Sequence, residues 1–524
     1  MSRLAKSAGL IGVATMTSRV LGVARETVLA ALFGAGNDMD AFNVAFRIPN
    51  LLRDLFAEGA ISAALVPTFT RTLATRGRDA AWRLGNLVVN ALITITLLLV
   101  VAGWIAAPWL ARTLAPEYAL VPGKLELTTQ LIRIMLPFLA LIAVGVAMMG
   151  MLNALRRFFI PAVSPAMFNL ATLFAAFALV PLMPRLGWPR IAAIAIGTIL
   201  GGLGQIAIQW PLLRREGWRY APVLDASDAG LREVVRLMAP ATIGLAAVQV
   251  NVFVNTVLAT GEGTGAVSWL NYAFRLMYLP IGLFGVSIGT AALPEISRYT
   301  ATSDASGLRQ TVANALRLMI VLNVPATIGL IVLARPIVSL LLERGRFGPD
   351  DTAATAAALV CYAPGLVAYA AVKIAAPTFY ALRDSRTPVI VSAIGVAVNV
   401  ALNLLLVRAM GFTGLALGAT IAAIVHAAIL LWLLHERVGG IGGGGNVRVF
   451  ALITIAAAAM GAAAWGSQHI LEVVVAGHST LVRALRVFTS IGVGLATLAA
   501  AAHLLHIDEF DEAVRRVAAR LGVR

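Results

Sequence analysis

Apolar runs of about twenty residues, the length a helix needs to cross a bilayer's hydrocarbon, recur along nearly the whole chain and stop at charged or Gly/Pro clusters. Of 524 residues, 60% are hydrophobic and only 13% charged. A water-soluble fold has no use for that pattern. In lipid every backbone polar group must be satisfied within the protein, so long apolar runs read as helices. The chain is therefore expected to be an all-α polytopic membrane protein with about fourteen transmembrane helices. The expected spans are 8–34, 39–70, 85–111, 126–154, 161–183, 190–213, 231–260, 265–298, 310–334, 352–382, 387–409, 413–435, 449–471 and 481–506.

Net charge is +16, and only Lys6, Lys124 and Lys373 are lysines, so the basicity is almost all arginine. Much of it falls in connections: Arg71, Arg76, Arg78 and Arg83 after the second span, Arg156 and Arg157 after the fourth, Arg214, Arg215 and Arg219 after the sixth, Arg383 and Arg386 after the tenth. Short basic loops stay in the cytoplasm. An even number of spans then puts both termini there, and both are basic. Nucleic-acid binding would want a basic face on a soluble domain, and no such domain is present. The single cysteine, Cys361, lies in an apolar run and reads as a small buried hydrophobe, and the six histidines show no metal-ligand spacing. Arg3 and Lys6 imitate the start of a signal peptide, but Ser18 and Arg19 interrupt the apolar stretch, so the N-terminus is expected to be retained.

The chain repeats itself. Ala45-Phe46-Arg47 recurs as Ala273-Phe274-Arg275, Leu55-Phe56 as Leu283-Phe284 and Ala63-Ala64-Leu65 as Ala291-Ala292-Leu293, all at an offset of 228 residues. Ala154-Leu155-Arg156 with Pro161 recurs as Ala381-Leu382-Arg383 with Pro388 at 227. Two matches at nearly one offset favour duplication, with spans one to six mapping onto seven to twelve in parallel topology. This gives two six-helix lobes, residues 1–220 and 221–438, followed by two further helices and a basic tail in 439–524, after the glycine-rich linker Gly439 to Gly445.

Charge is concentrated where it is most costly. An Arg or Asp at a bilayer centre costs roughly 2.5 to 3.5 kcal/mol on insertion scales and normally faces a bundle interior or a wet cavity. The first two spans nevertheless carry Arg19, Arg25, Glu26, Asp40, Arg47, Arg53, Asp54 and Glu58 around a Gly34, Gly36, Asn37 turn. Asp40, Asn43, Arg47, Asn50, Asp54 and Glu58 fall on one helical face. The eighth span shows a matching stripe through Asn271, Arg275 and Tyr278. Some of these charges have a purely structural reading: Arg47 pairing with Asp54 or Asp40, or Asp54 and Glu58 neutralising Arg53. For Arg25 and Glu26, neighbours on a helix point apart, which argues against mutual pairing. Arg19 and Arg275 lie too deep to reach an interface. Guanidiniums facing one cavity would attract an anion, and their planar forks suit phosphate or carboxylate. Lys373 is a mid-span cation, Asn399 and Asn403 share a face as polar glue or cation ligands, and the Gly197, Gly201 spacing reads as close helix packing.

The segments MTSRVLGVARE, FGAGNDMDAFNVAFRIPNLLRDLFAEGAISAALVPTF, SWLNYAFRLMYLPIGLFGVSIGTAALP and FYALRDSRTP strongly resemble the MurJ (MviN) lipid II flippases of the multidrug/oligosaccharidyl-lipid/polysaccharide exporter superfamily. The resemblance covers nearly the whole chain. It implies fourteen helices, the last two forming a groove for the lipid tail, and transport of undecaprenyl-pyrophosphate-linked peptidoglycan precursor across the bacterial cytoplasmic membrane. It implies substrate-binding roles for Arg19, Arg25, Arg53 and Arg275 and an acidic functional position at Asp40; gating or charge pairing is expected of Glu26, Asp40, Arg47, Asp54 and Glu58. The chain departs from the family where Phe274 replaces a residue acidic in some members and where Arg47 stands at a position often lysine. No catalytic residue, metal or cofactor is expected; a monovalent cation or the membrane potential would reset the transporter. Lipid II and membrane lipids are the expected partners, with other cell-wall synthesis proteins as candidates. The competing readings are a flippase for another polyprenyl-linked glycan and a cation-coupled drug exporter of the same superfamily.

Overall fold

The computed structural model describes residues 3–55, 61–477, 479–507 and 509–510. Regular structure among them is entirely helical. The chain runs through α1 (Arg3–Phe33), α2 (Asn37–Leu55), α3 (Ile61–Leu114), α4 (Lys124–Met135), α5 (Phe138–Ala154), α6 (Phe159–Phe174), α7 (Ala192–Arg215), α8 (Ala229–Thr260) and α9 (Ala266–Pro280). It continues through α10 (Val286–Ala301), α11 (Ala305–Val332), α12 (Ala334–Leu342), α13 (Pro349–Tyr362), α14 (Gly365–Ala381), α15 (Arg386–Met410), α16 (Phe412–Val438), α17 (Gly443–Val474) and α18 (Thr480–Leu504).

Nine helices among the described residues are long and apolar enough to cross a membrane, ten if α13 and α14, bent by 47°, count as one span. This is a multi-pass membrane protein. The sequence segmentation gives about fourteen spans. The difference lies in the elements that carry charge or breaks: α1 and α2 hold the intramembrane charges, α9 ends after 15 residues, and α3 absorbs the end of one expected span and the whole of the next. Within α3 only Gly77, at φ 83°, leaves helical geometry.

Contacts divide the chain into two compact units: residues 1–268 with 344–347, and 269–343 with 348–524. In the first, α3 packs on α4, α5 and α8, α5 on α7, α6 on α1 and α7, and α2 on α4. Its core includes Phe69, Trp82, Phe138 and Met151. Gly197 and Gly201 lie on the α6–α7 seam, where a Cβ would meet Ala175 Cβ at 2.7 Å and Phe168 Cα at 3.0 Å, so the spacing does serve close packing. Arg344–Phe347 joins this unit because the Arg346 amide donates to the Ala31 carbonyl at 2.9 Å beside the α1–α2 turn. A Cβ on Gly34 (φ 64°) would meet the Arg346 carbonyl oxygen at 2.6 Å and one on Gly345 (φ 60°) would run into the Ala31 carbonyl, so neither position has room for a side chain. In the second unit α10, α11, α14 and α16 surround a core with Ile374 and Phe379, and α11 packs on α17 and α17 on α18.

The sequence repeat reappears in the backbone. The α4–α5 break at Pro137 and the α13–α14 break at Pro364 are 227 residues apart, as are the ends of α5 and α14 and the starts of α6 and α15. Both α5 and α14 finish in the same cap: the Arg157 and Asp384 amides donate five residues back to Leu152 and Phe379, and Arg156 (φ 59°) and Arg383 (φ 60°) take the left-handed conformation. That cap usually uses glycine. Asp384 then accepts from the Thr387 amide and hydroxyl at the head of α15, which holds its carboxyl below the usual carboxylate range.

A left-handed non-glycine residue costs about 1 kcal/mol. Arg156→Gly and Arg383→Gly should therefore raise stability by up to about 1 kcal/mol each, whereas valine at either position should lower it. Thermal unfolding of the purified protein in detergent measures both.

Candidate functional site

The two units each present part of the predicted arginine set. In the first, α1 places Arg19 half-buried, with no hydrogen-bond or ion-pair partner among the described residues. One turn and a half further on, Arg25 forms an ion pair with Glu26, both side chains 12% exposed. This corrects the expectation that neighbours on a helix would not pair. The arginine stem is long enough to swing its guanidinium sideways, and Cζ rests 5.1 Å from the centre of the Phe168 ring on α6. Phe168 in turn packs on Phe46 and Phe138, so the cation sits against a fixed aromatic wall. The α1–α6 pairing is reinforced by Asn169, whose amide donates to the Ser18 carbonyl at 3.0 Å.

The polar face of α2 starts with the most enclosed charges in the unit. Asp40 is fully buried and pairs with Lys124 on α4, Nζ to Oδ2 3.0 Å, not with Arg47. The same carboxylate accepts from the Gly265 amide (2.8 Å), the Ser268 amide (3.1 Å) and the Ser268 hydroxyl (2.7 Å), at the first turn of α9. Asn43 adds a bond to the Ser268 hydroxyl at 3.2 Å, and the Tyr118 ring lies 4.0 Å from Lys124 Nζ. Every oxygen lone pair that α9's free N–H groups and the lysine can use is engaged, so Asp40 acts as a cap for a helix elsewhere in sequence. The sequence signal for Lys124 was its rarity: one of three lysines among 41 basic residues, at the start of α4. Arg47 and Arg53 are half-buried and engaged further along α2. The side chain of Asp54 and the whole of Glu58 lie outside the described residues.

In the second unit, Arg275 lies half-buried near the middle of α9, its Nε donating to Asn271 Oδ1 one turn earlier at 3.0 Å. Phe274, the departure from the family pattern, enters an aromatic group with Tyr278, Tyr362 and Tyr369. The α-helix ends at Pro280 and passes through a π turn, Ile281–Gly285, before α10. A proline lacks the N–H that the regular ladder needs, which accounts for the irregular turn. Lys373 is exposed on α14, without a hydrogen-bond or ion-pair partner among the described residues. Asn403 donates to Asn399 at 3.0 Å, both buried.

The described helices thus form a multi-pass membrane bundle that carries half-buried arginines on α1, α2 and α9. The chain matches known proteins of that class. The structure described as "Lipid II flippase MurJ, inward closed conformation" superposes with a TM-score of 0.77 over 95% of this chain and 99% of that one, at 23% identity. An inward-facing multidrug resistance MATE transporter of the MOP superfamily follows the same fold at TM-score 0.68, covering 82% of this chain and 98% of its own, at 16% identity. The family model described as "Lipid II flippase MurJ" matches residues 29–484. The Burkholderia cenocepacia lipid II flippase MurJ is 36% identical over 428 residues, 81% of this chain and 82% of its own. The probable lipid II flippase MurJ of Rhizobium meliloti is 35% identical over 441 residues, 83% and 81% of the two chains. The chain belongs to the lipid II flippase MurJ family.

Breaking a buried ion pair strands a charge, at a cost of about 3 to 5 kcal/mol. Asp40→Ala and Lys124→Ala should each destabilise the protein by that order, and the double variant by clearly less than their sum. Unfolding midpoints of the four proteins in one detergent give the coupling; additive losses would deny that the two residues act as a pair.

Proposed function

We propose that this protein carries lipid II from the inner to the outer leaflet of the bacterial cytoplasmic membrane, supplying peptidoglycan synthesis. Membership of the flippase family, together with guanidiniums embedded in apolar helices at Arg19, Arg25, Arg53 and Arg275, is the observation that supports this reading. The cargo's pyrophosphate is the anion those groups suit: each planar fork can give two parallel N–H donors to adjacent phosphate oxygens. Asp40 and Lys124 are structural in this account, holding the head of the helix that carries Arg275. Glu26 tempers Arg25, and Arg47, Asp54 and Glu58 serve charge pairing along α2.

Transport proceeds by alternating access between the two sequence repeats, residues 1–220 and 221–438, while residues 439–524 serve the lipid tail. Unliganded arginines repel one another and disfavour closure. The cargo's charge removes that penalty, so closure is coupled to loading. Both termini are cytoplasmic, following the basic connections. No cofactor or catalytic step is required. Resetting draws on the membrane potential, worth about 2.3 kcal/mol per charge per 100 mV, or on a monovalent cation. Other cell-wall synthesis proteins are the natural recipients of the product.

The test is lipid II accessibility at the outer face of cells depleted of their own flippase. Expression of the wild-type protein should restore it, and Arg275→Ala, expressed at the same level, should not. Failure of the correctly inserted wild type would point to another polyprenyl-linked glycan.

A further inference from the structure

Where α17 gives way to α18, the second unit holds a cavity of about 490 Å³ whose lining includes Arg335, Glu343, Gln468, Glu472, Arg483 and Arg486. That volume falls within the range of small-molecule sites, about 300 to 1,000 Å³. Two of these charges cancel: Arg483 Nη2 lies 3.0 Å from Glu343 Oε1. The other three do not. Arg335, at the start of α12, is exposed and has no hydrogen-bond or ion-pair partner among the described residues. Arg486 gives Nε to the Val475 carbonyl and Nη2 to the Gly477 carbonyl, at 3.1 Å each, which leaves its Nη1 unengaged among the described residues. Glu472 accepts from Gln468 at 3.0 Å and forms no ion pair with any described residue.

Opposite charges that share a cavity and yet do not pair are held apart by the fold. For Glu472 the restraint is a hydrogen-bonded chain: Ser490 donates to Gln468 Oε1 at 3.2 Å, and the Gln468 amide donates to Glu472 Oε1, with Ser490 and Gln468 both buried. One carboxylate oxygen is thereby fixed while the other keeps its acceptor capacity. Arg486 is fixed in the same way by its two carbonyls. A ligand that fills the gap must offer an anionic group to Arg335 and Arg486 and a cationic one to Glu472. A simple anion would satisfy the arginines and be repelled by the glutamate. A hydrocarbon chain has little to pack against, since no apolar side chain in the lining is larger than valine.

We propose that this cavity binds a small water-soluble zwitterion, an amino acid or short peptide, whose carboxylate meets Arg335 and Arg486 and whose ammonium meets Glu472. Both sources carry the same two groups and differ in the distance between them. The site uses none of the arginines assigned to transport, so it stands or falls independently of the flippase reading.

Isothermal titration calorimetry of the full-length protein in detergent tests it, with L-alanine, L-alanyl-L-alanine, N-acetyl-L-alanine and inorganic phosphate as separate titrants. At least one of the two zwitterions should bind, and Arg335→Gln should weaken it about tenfold, the loss of one charge-assisted contact. Arg335→Lys should recover part of that loss. Glu472→Gln should abolish the preference for the zwitterion over N-acetyl-L-alanine, which lacks the ammonium. Neither Arg335 nor Glu472 forms an ion pair with a described residue, so both replacements should leave the unfolding midpoint unchanged, which separates lost binding from lost folding. Tighter binding of alanine identifies a free amino acid as the ligand class, and of the dipeptide a peptide. No binding of either zwitterion, equal binding by wild type and both variants, or binding of N-acetyl-L-alanine or inorganic phosphate as tight as that of the zwitterions would overturn the proposal.

Discussion

A charge in the hydrocarbon region of a bilayer must find its partner or its solvent within the protein, and the arrangement around Asp40 shows how completely this chain can meet that demand. The carboxylate has a lysine, two backbone amides and a hydroxyl within 3.1 Å, all behind a buried surface. Each group relieves another: the first amides of α9 lack intrahelical partners, the lysine lacks water, and the carboxylate serves both. The result fixes where α9 begins. Arg275 lies seven residues beyond Ser268 on that helix, so where it sits along α9 follows from the capping at Asp40.

The arginines differ from Asp40 in how fully they are met. Arg25 has one carboxylate and an aromatic face, and Arg19 has no described partner. Selection against insertion cost would remove such residues unless something outside the protein's own side chains rewarded them. In the proposed function an anionic lipid headgroup is that reward, and arginine suits it: the fork can hold a phosphate in one orientation, which a lysine cannot. Irregular backbone at Pro280 and at the Pro137 and Pro364 breaks interrupts helices that would otherwise be rigid rods, and transporters commonly place such breaks in the helices that move.

Much of this was legible in the residues. Apolar length announced the helices, and the offset of 227 residues anticipated equivalent helix ends whose caps prove alike down to the left-handed arginines. The Gly197, Gly201 spacing foretold a tight α6–α7 seam because close packing needs nothing but the absence of a side chain. What stayed hidden depended on long side chains and distant partners. Periodicity gives the direction of a Cβ, not the reach of a guanidinium, so the Arg25–Glu26 pair was misjudged. Lys124 lies 84 residues from Asp40, and nothing local links them. Phe274 reads as a lost acid in isolation; only the fold supplies the tyrosines that make an aromatic ring the fitting choice.

The central claim is that embedded guanidiniums recognise the pyrophosphate of a lipid-linked precursor. The most direct measurement is the affinity of the purified protein for lipid II and for the same lipid-linked glycan carrying a single phosphate, in wild type and in Arg19→Gln. The account predicts a marked preference of the wild type for the pyrophosphate form, lost or reduced about tenfold in the variant, as removal of one charge-assisted contact requires. Equal affinity for the two lipids, unchanged by the substitution, would contradict it.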